Sequence, residues 1–104
     1  MTANTDIIAT VKFDEDGYLD NAADWTPELA EALAAEANID LNDRHWIVIN
    51  FVRSEFEANG DAPTIRKITK TTEVNTKELY KLFPKGPAKL AARISGLKKP
   101  TGCI

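Results

Sequence analysis

The fold is decided by the stretch Asn42-Asp-Arg-His-Trp-Ile-Val-Ile-Asn-Phe-Val-Arg-Ser-Glu-Phe-Glu-Ala58, which has the spacing of an amphipathic helix. Asn42 or Asp43 suits the N-cap position, and Gly60 lies just past the end, where a left-handed residue is favoured. The apolar side chains recur at helical spacing and form one wide stripe, made of Trp46, Ile49, Phe51, Val52 and Phe56. A stripe of this width predicts the central core helix of the protein.

Four more helices are predicted around this one from their start and stop signals. Thr26 followed by Pro27 is typical of a helix N-terminus, and the apolar stripe that follows ends near Asn38. Another helix is expected to begin around Pro63. The last two are predicted from the capping box Asn75–Glu78 through Phe83, and from Pro87 to a stop at Gly96.

A small β-hairpin is predicted before the helices. Residues 7–13 alternate weakly and are rich in β-branched side chains, residues 14–17 supply turn chemistry, and Tyr18-Leu19 resumes the apolar pattern. A hairpin this short is marginal alone and must pack on the helices. The predicted fold class is therefore α+β, predominantly α, with an N-terminal hairpin packed on a bundle of about five helices.

The length of 104 residues predicts one globular domain, which we place at residues 1–96. Residues 97–104 show no periodicity and contain Pro100 and Gly102, so we expect a mobile C-terminal arm that reaches at most about 25 Å. The chain has no apolar run long enough to span a bilayer, and its first residues do not have the pattern of a signal peptide. With a single cysteine and hence no internal disulfide, these features predict a cytoplasmic protein with no membrane partner.

Charge is divided unevenly between the two halves of the chain. Residues 1–61 carry 14 of the 16 acidic residues and only three basic ones, a net charge of −11, whereas residues 62–104 have a net charge of +8. The basic half is either an ordinary solvated surface or a docking surface for an acidic partner or nucleic acid. Within it, residues 62–83 have the outline of a helix-turn-helix, but they lack an evident set of base-reading side chains. Nucleic-acid binding is therefore expected to be weak at most.

Few residues in the chain could carry chemistry. One histidine and one cysteine make a structural zinc site implausible, and no glycine-rich phosphate loop is present, so neither a metal nor a cofactor is predicted. His45 has no nucleophile nearby in the sequence to activate, and a structural or capping role is favoured.

Cys103 stands out by its position next to the chain end, where a usually buried residue type is unlikely to be covered. Lys98, Lys99 and Arg93 are cations near it in the sequence that could lower the pKa of its thiol, and Gly102 leaves room for a close approach by a partner. Position alone leaves two readings open: a working thiol, or an incidental residue of the tail.

Two motifs then carry a resemblance to a known family. The segment Leu82-Phe-Pro-Lys-Gly-Pro-Ala-Lys89 and the C-terminal segment Gly96-Leu-Lys-Lys-Pro-Thr-Gly-Cys-Ile104 resemble the DsrC/TusE family. That family comprises the gamma-subunit-like protein of dissimilatory sulfite reductase and the sulfur-relay protein of tRNA thiolation. The N-terminal half agrees with the same pattern at Asp16–Leu19, Trp25, His45-Trp46 and Pro63–Arg66.

The resemblance implies a sulfurtransferase-type carrier that needs no cofactor. Its penultimate cysteine, here Cys103, receives sulfane sulfur as a persulfide and passes it to a partner protein. The residues predicted to bind the partner or to tune the thiolate are Arg93, Lys98, Lys99, Thr101 and Gly102. The implied partners are the donor and acceptor proteins of a relay, such as tRNA 2-thiouridine synthesis or sulfur oxidation.

One position departs from part of the family. Members that serve dissimilatory sulfite reductase carry a second cysteine where this chain has Ala92. The single cysteine therefore resembles the TusE-like type. The alternatives are a gamma-subunit-like partner of a sulfite reductase or a heterodisulfide-reductase-like complex, and a helix-turn-helix regulator that binds nucleic acid.

Overall fold

The computed structural model describes residues 5–84 and 86–98, with side chains described from residue 7 onward. These residues form five α-helices preceded by two short 3-10 helices. The 3-10 helices are Thr5–Thr10 and Ala22–Asp24, and the α-helices are α1 (Pro27–Glu36), α2 (Asp43–Asn59), α3 (Ile65–Thr72), α4 (Thr76–Leu82) and α5 (Pro87–Ile94). No helix among the described residues combines the length and the apolar character that crossing a membrane requires.

Helix α2 lies at the centre and packs against α3 and α5, as its wide apolar stripe predicts. Val48, Ile49 and Val52 are buried, and the helix ends at Gly60, which has the left-handed φ of +76°. Helix α1 packs on α5 and on the first 3-10 helix, and α4 packs on α3 and α5. The core thus gathers around α2 and α5, and the end of α5 leads directly into the C-terminal segment.

The predicted N-terminal β-hairpin is wrong, and the α+β class with it. Among the described residues there is no strand, and the only β-type pairing is a single antiparallel bridge between Phe13 and Leu19. Ile7 and Ile8 lie in the first 3-10 helix and Val11 directly follows it, and all three pack against the core. The antiparallel pairing also cannot continue after Leu19, because the Asn21 side chain caps the second 3-10 helix.

His45 ties the start of α2 to the end of α4. Its Nδ1 accepts a hydrogen bond from the backbone N–H of Asn42 at 3.1 Å, while the Asn42 side chain accepts from the N–H of His45. With Nδ1 occupied as an acceptor, Nε2 carries the proton and donates to the carbonyl oxygen of Leu82 at 2.9 Å. The ring also meets Phe83 edge to face. The predicted structural and capping role of His45 is confirmed.

This arrangement predicts how the stability of the fold depends on pH. Burial lowers the pKa of His45 below its usual value, despite the opposing hydrogen bond to Leu82. The unfolded chain therefore takes up a proton before the folded one, so the stability from neutral His45 is complete above about pH 6.5 and declines as the pH falls from there. The change is measured by urea unfolding at about pH 7.5 and about pH 5.5, which lie on either side of the usual pKa of histidine.

The matched control is His45→Gln, because a glutamine side chain can accept and donate but does not titrate. His45 is the only histidine in the chain, so the variant is expected to lose the decline between the two pH values. A variant that declines as steeply as the parent protein would show that other groups cause the effect.

Candidate functional site

The predicted site residues divide into two groups in the structure. Arg93 lies on α5 and Lys98 is exposed after it, while Lys99, Thr101, Gly102 and Cys103 lie outside the described residues. Of the predicted site, the structure therefore describes only the segment in which the predicted arm starts. We call residues 94–98 the arm root.

The arm root begins with a tight helix end. The N–H of Gly96 donates to the carbonyl oxygen of Arg93 at 3.2 Å, and the N–H of Leu97 donates to that of Ala92 at 3.0 Å. Gly96 has a φ of +75°, so the chain reverses there in the manner of a Schellman motif. Leu97 then turns inward and is only 1% exposed, whereas Lys98 is exposed. Leu97 is thus the last buried residue that the structure describes.

Two side chains from distant parts of the chain bind the carbonyl groups of this helix end. Trp25 Nε1 donates to the carbonyl oxygen of Ile94 at 2.9 Å, and Arg53 Nη1 donates to that of Ser95 at 2.7 Å. The Arg53 guanidinium carbon also lies 4.1 Å from the centre of the Trp25 ring, in cation–π geometry. Burial lowers the pKa of Arg53, partly offset by Glu57, but an arginine remains charged at neutral pH.

An open groove of about 360 Å³ lies beside the arm root. Leu97 lines it from the root, and the other lining residues are Ala22, Ala23, Arg53, Phe56 and Glu57. The groove therefore has an apolar floor and one charge of each sign at α2. The groove thus lies beside Leu97, near the end of the described residues.

The predicted thiolate-tuning residue Arg93 binds elsewhere in the described structure. Its Nε donates to the carbonyl oxygen of Gly17 at 2.9 Å, and its Nη2 lies 3.4 Å from Glu36 Oε1. Arg93 thus joins α5 to the N-terminal turn and to the end of α1. Its influence on Cys103 stays a prediction, as do the roles of Lys98 and the four residues beyond.

Ala92, the position that distinguishes the single-cysteine type, is completely buried on α5. Near it, the hydroxyl of Ser95 is buried and has no hydrogen-bond partner among the described residues. Those residues also contain no group of three or more His, Cys, Asp or Glu side chains that could hold a metal ion.

Arg53 was not predicted from the sequence, and Trp25 was noted only as a position that agrees with the family pattern. The available signal was that Arg53 stands between Val52 and Phe56 on the central helix. A cation that interrupts an apolar stripe is often paired with a specific acceptor. Which acceptor it pairs with depends on a contact across 42 positions of the chain.

Comparison with known proteins gives consistent matches over almost the whole chain. Residues 8–104 match the family described as DsrC like protein. A sulfurtransferase TusE of Yersinia pseudotuberculosis is 43% identical over 98 residues, which cover 88% of this chain and 91% of that protein. The gamma subunit of the dissimilatory-type sulfite reductase of Nitratidesulfovibrio vulgaris is 42% identical over 92 residues, covering 88% of each chain.

The fold is also similar to solved structures of related proteins. The NMR structure of DsrC from Allochromatium vinosum superposes with a TM-score of 0.79 at 44% identity, and the match covers 90% of each chain. At this identity the similarity concerns the sequence as well as the fold. The matched region includes both the arm root and the C-terminal segment that contains Cys103.

Proposed function

Because the chain belongs to the DsrC-like protein family, we propose that it is a sulfur carrier of a sulfur relay, with Cys103 as the group that carries the sulfur. The observation that supports this most directly is the 43% identity to a sulfurtransferase, which extends over nearly the full length of both proteins. The family match also runs to residue 104, and Cys103 is the only thiol that the chain can offer.

The transfer step follows from thiol chemistry. The Cys103 thiolate attacks the outer sulfur of a donor persulfide, and a new S–S bond forms on Cys103 while the S–S bond of the donor breaks. The electron pair of the broken bond leaves with the donor, which becomes a thiolate. The sulfane sulfur is only moved, so no external oxidant or reductant is needed. The same exchange in the opposite direction hands the sulfur to an acceptor cysteine.

The single cysteine favours a relay over a two-cysteine mechanism. Identity does not separate the two relatives, since the sulfurtransferase and the sulfite reductase subunit are 43% and 42% identical to this chain. With Ala92 in place of the second cysteine, the chain cannot close an internal disulfide. We therefore propose a TusE-like carrier that works in the cytoplasm, in a pathway such as tRNA 2-thiouridine synthesis. Its partners are the proteins that donate and accept the sulfur.

The gamma-subunit-like role remains the second candidate because of the 42% identity to such a subunit. The helix-turn-helix regulator is not favoured. The basic side chains of α3 and α4 are exposed, but the relatives reported above are named as a sulfurtransferase and a sulfite reductase subunit.

Intact-mass spectrometry tests the proposal with the full chain. The reduced protein is incubated with glutathione persulfide and, separately, with a persulfidated rhodanese, and its mass is then measured before and after treatment with a reductant. We expect a gain of one sulfur atom per chain, which the reductant removes. A protein that gains no sulfur from either donor would contradict the proposed function.

A further inference from the structure

The arm root is fixed by contacts from two other parts of the chain, and not by α5 alone. The carbonyls of a helix end are usually satisfied by water or by the turn that follows. Here the carbonyl of Ile94 binds Trp25, which precedes α1, and the carbonyl of Ser95 binds Arg53 in the middle of α2. The two donors are 69 and 42 positions away in the sequence. The chain has thus placed charged and aromatic side chains on the last backbone groups before the arm.

The next residue, Gly96, is held by close packing against Trp25. A side chain at Gly96 would have its Cβ only 2.4 Å from Cδ1 of Trp25, so the backbone of Gly96 lies directly against the indole ring. Arg53 covers the same ring, and Leu97 is buried immediately afterwards. Trp25 therefore contacts the root by a hydrogen bond and by its ring, and Arg53 holds both the ring and the root.

We propose that Trp25 and Arg53 are positioning residues that set the direction in which the arm leaves the body, and with it the region in which Cys103 meets its partners. The inference rests on the proposed function only for its consequence in sulfur transfer. The contacts that hold the root lie among the described residues. Since Leu97 lines the groove next to Ala22, Ala23 and Phe56, we expect Cys103, tethered shortly after it, to visit that side of the molecule.

The length of the tether shows why the root matters. From Lys98, Cys103 is about five residues away and can reach at most about 17 Å. If residues 95–97 are released, the tether grows to about eight residues and the effective concentration of the thiol at a docked partner falls about twofold from length alone. The loss of direction adds to this, so we expect transfer from a docked protein donor to slow by roughly fivefold.

The first test measures the direction without any sulfur chemistry. A spin label on Cys103, the only thiol, broadens the NMR signals of backbone amides that it approaches. In the parent protein we expect the broadening to concentrate around Ala22, Ala23 and Phe56. In Arg53→Met, which keeps the aliphatic stem but removes the donor, the broadening should weaken there and spread to other faces. Trp25→Phe, which keeps a ring but loses the N–H, should give a smaller change of the same kind.

The matched control is Arg44→Met, at the start of the same helix. Arg44 is a partly exposed arginine whose guanidinium binds the Glu78 carboxylate through two hydrogen bonds of 2.8 Å. Its removal should leave the pattern of broadening unchanged. If Arg53→Met and Trp25→Phe both give the pattern of the parent protein, the proposal is overturned. Should Arg53→Met fail to fold, Trp25→Phe decides alone.

The second test separates positioning from stability and from the reactivity of the thiol. For Arg53→Met, the rate of transfer from persulfidated rhodanese should fall roughly fivefold, from the longer tether and the lost direction together. The rate with glutathione persulfide, which needs no docking, should stay the same. Arg53→Lys should recover part of the loss, because lysine can still donate to the Ser95 carbonyl. Equal loss with both donors would contradict a positioning role. A parent protein that accepts no sulfur would refute the proposed function, while the broadening would still decide the inference.

Discussion

Replacing Cys103 by serine is expected to reduce sulfur uptake from one atom per chain to none. A serine hydroxyl cannot form a persulfide, and the chain has no other thiol that could take over. Because the sequence predicts a mobile arm at residues 97–104, we expect the fold to be unaffected, since surface substitutions usually change stability by no more than about 0.5 kcal/mol. Intact-mass spectrometry after incubation with glutathione persulfide measures the uptake, and urea unfolding measures the stability.

A second readout uses oxidation of the parent protein. Since position 92 is an alanine, a mild oxidant cannot join two cysteines within one chain, and any disulfide must link two chains through Cys103. We expect a reducible dimer from the parent protein and none from the serine variant. Sulfur uptake by the serine variant at the level of the parent protein would show that Cys103 is not the carrier.

The helices were predictable from sequence because their ends carry local chemical signals. Thr26 accepts a hydrogen bond from the N–H of Leu29, and Asn75 accepts one from the N–H of Glu78, as their N-cap positions predict. Gly60 and Gly96 both take the left-handed conformation after a helix. Each of these signals acts within four residues, so a single sequence contains all the information that the prediction needs.

The N-terminal segment failed for the opposite reason. Its β-branched residues suit a strand by propensity, but residues 5–10 form a 3-10 helix that packs on α1. Burying Ile7, Ile8 and Val11 against the helical core evidently outweighs the propensity, which is a weak and context-dependent preference. The sequence of the segment alone does not show that these side chains pack against a helix.

The arm root was predictable from the sequence only in part. The motif that ends in Cys103 was recognisable, and so was the helix stop at Gly96. The hydrogen bonds from Trp25 and Arg53 were not, because they join parts of the chain that only the tertiary fold brings together. The sequence therefore indicated the group proposed to react, Cys103, but not the side chains that hold the arm root.

Gly96 offers the sharpest test of how tightly this root is held. In Gly96→Ala, the new Cβ would lie 2.4 Å from Cδ1 and 2.7 Å from Cβ of Trp25, which is far closer than van der Waals contact. The φ of +75° adds the strain of a left-handed non-glycine residue, about 1 kcal/mol. Overpacking typically costs a further ~1–3 kcal/mol, so the free energy of unfolding should fall by about 2–4 kcal/mol.

The chain contains its own matched control in Gly60. That glycine has nearly the same backbone conformation, with a φ of +76°, but a Cβ there would meet nothing within 4 Å. Gly60→Ala should therefore lose only the backbone term of about 1 kcal/mol. Urea unfolding of both variants isolates the contact with Trp25 as their difference. In the double variant Gly96→Ala/Trp25→Gly, which also removes Cβ of Trp25, the clash is absent, so the loss caused by Gly96→Ala should shrink toward that of Gly60→Ala. Equal losses for the two single variants would show that the arm root is not packed against Trp25.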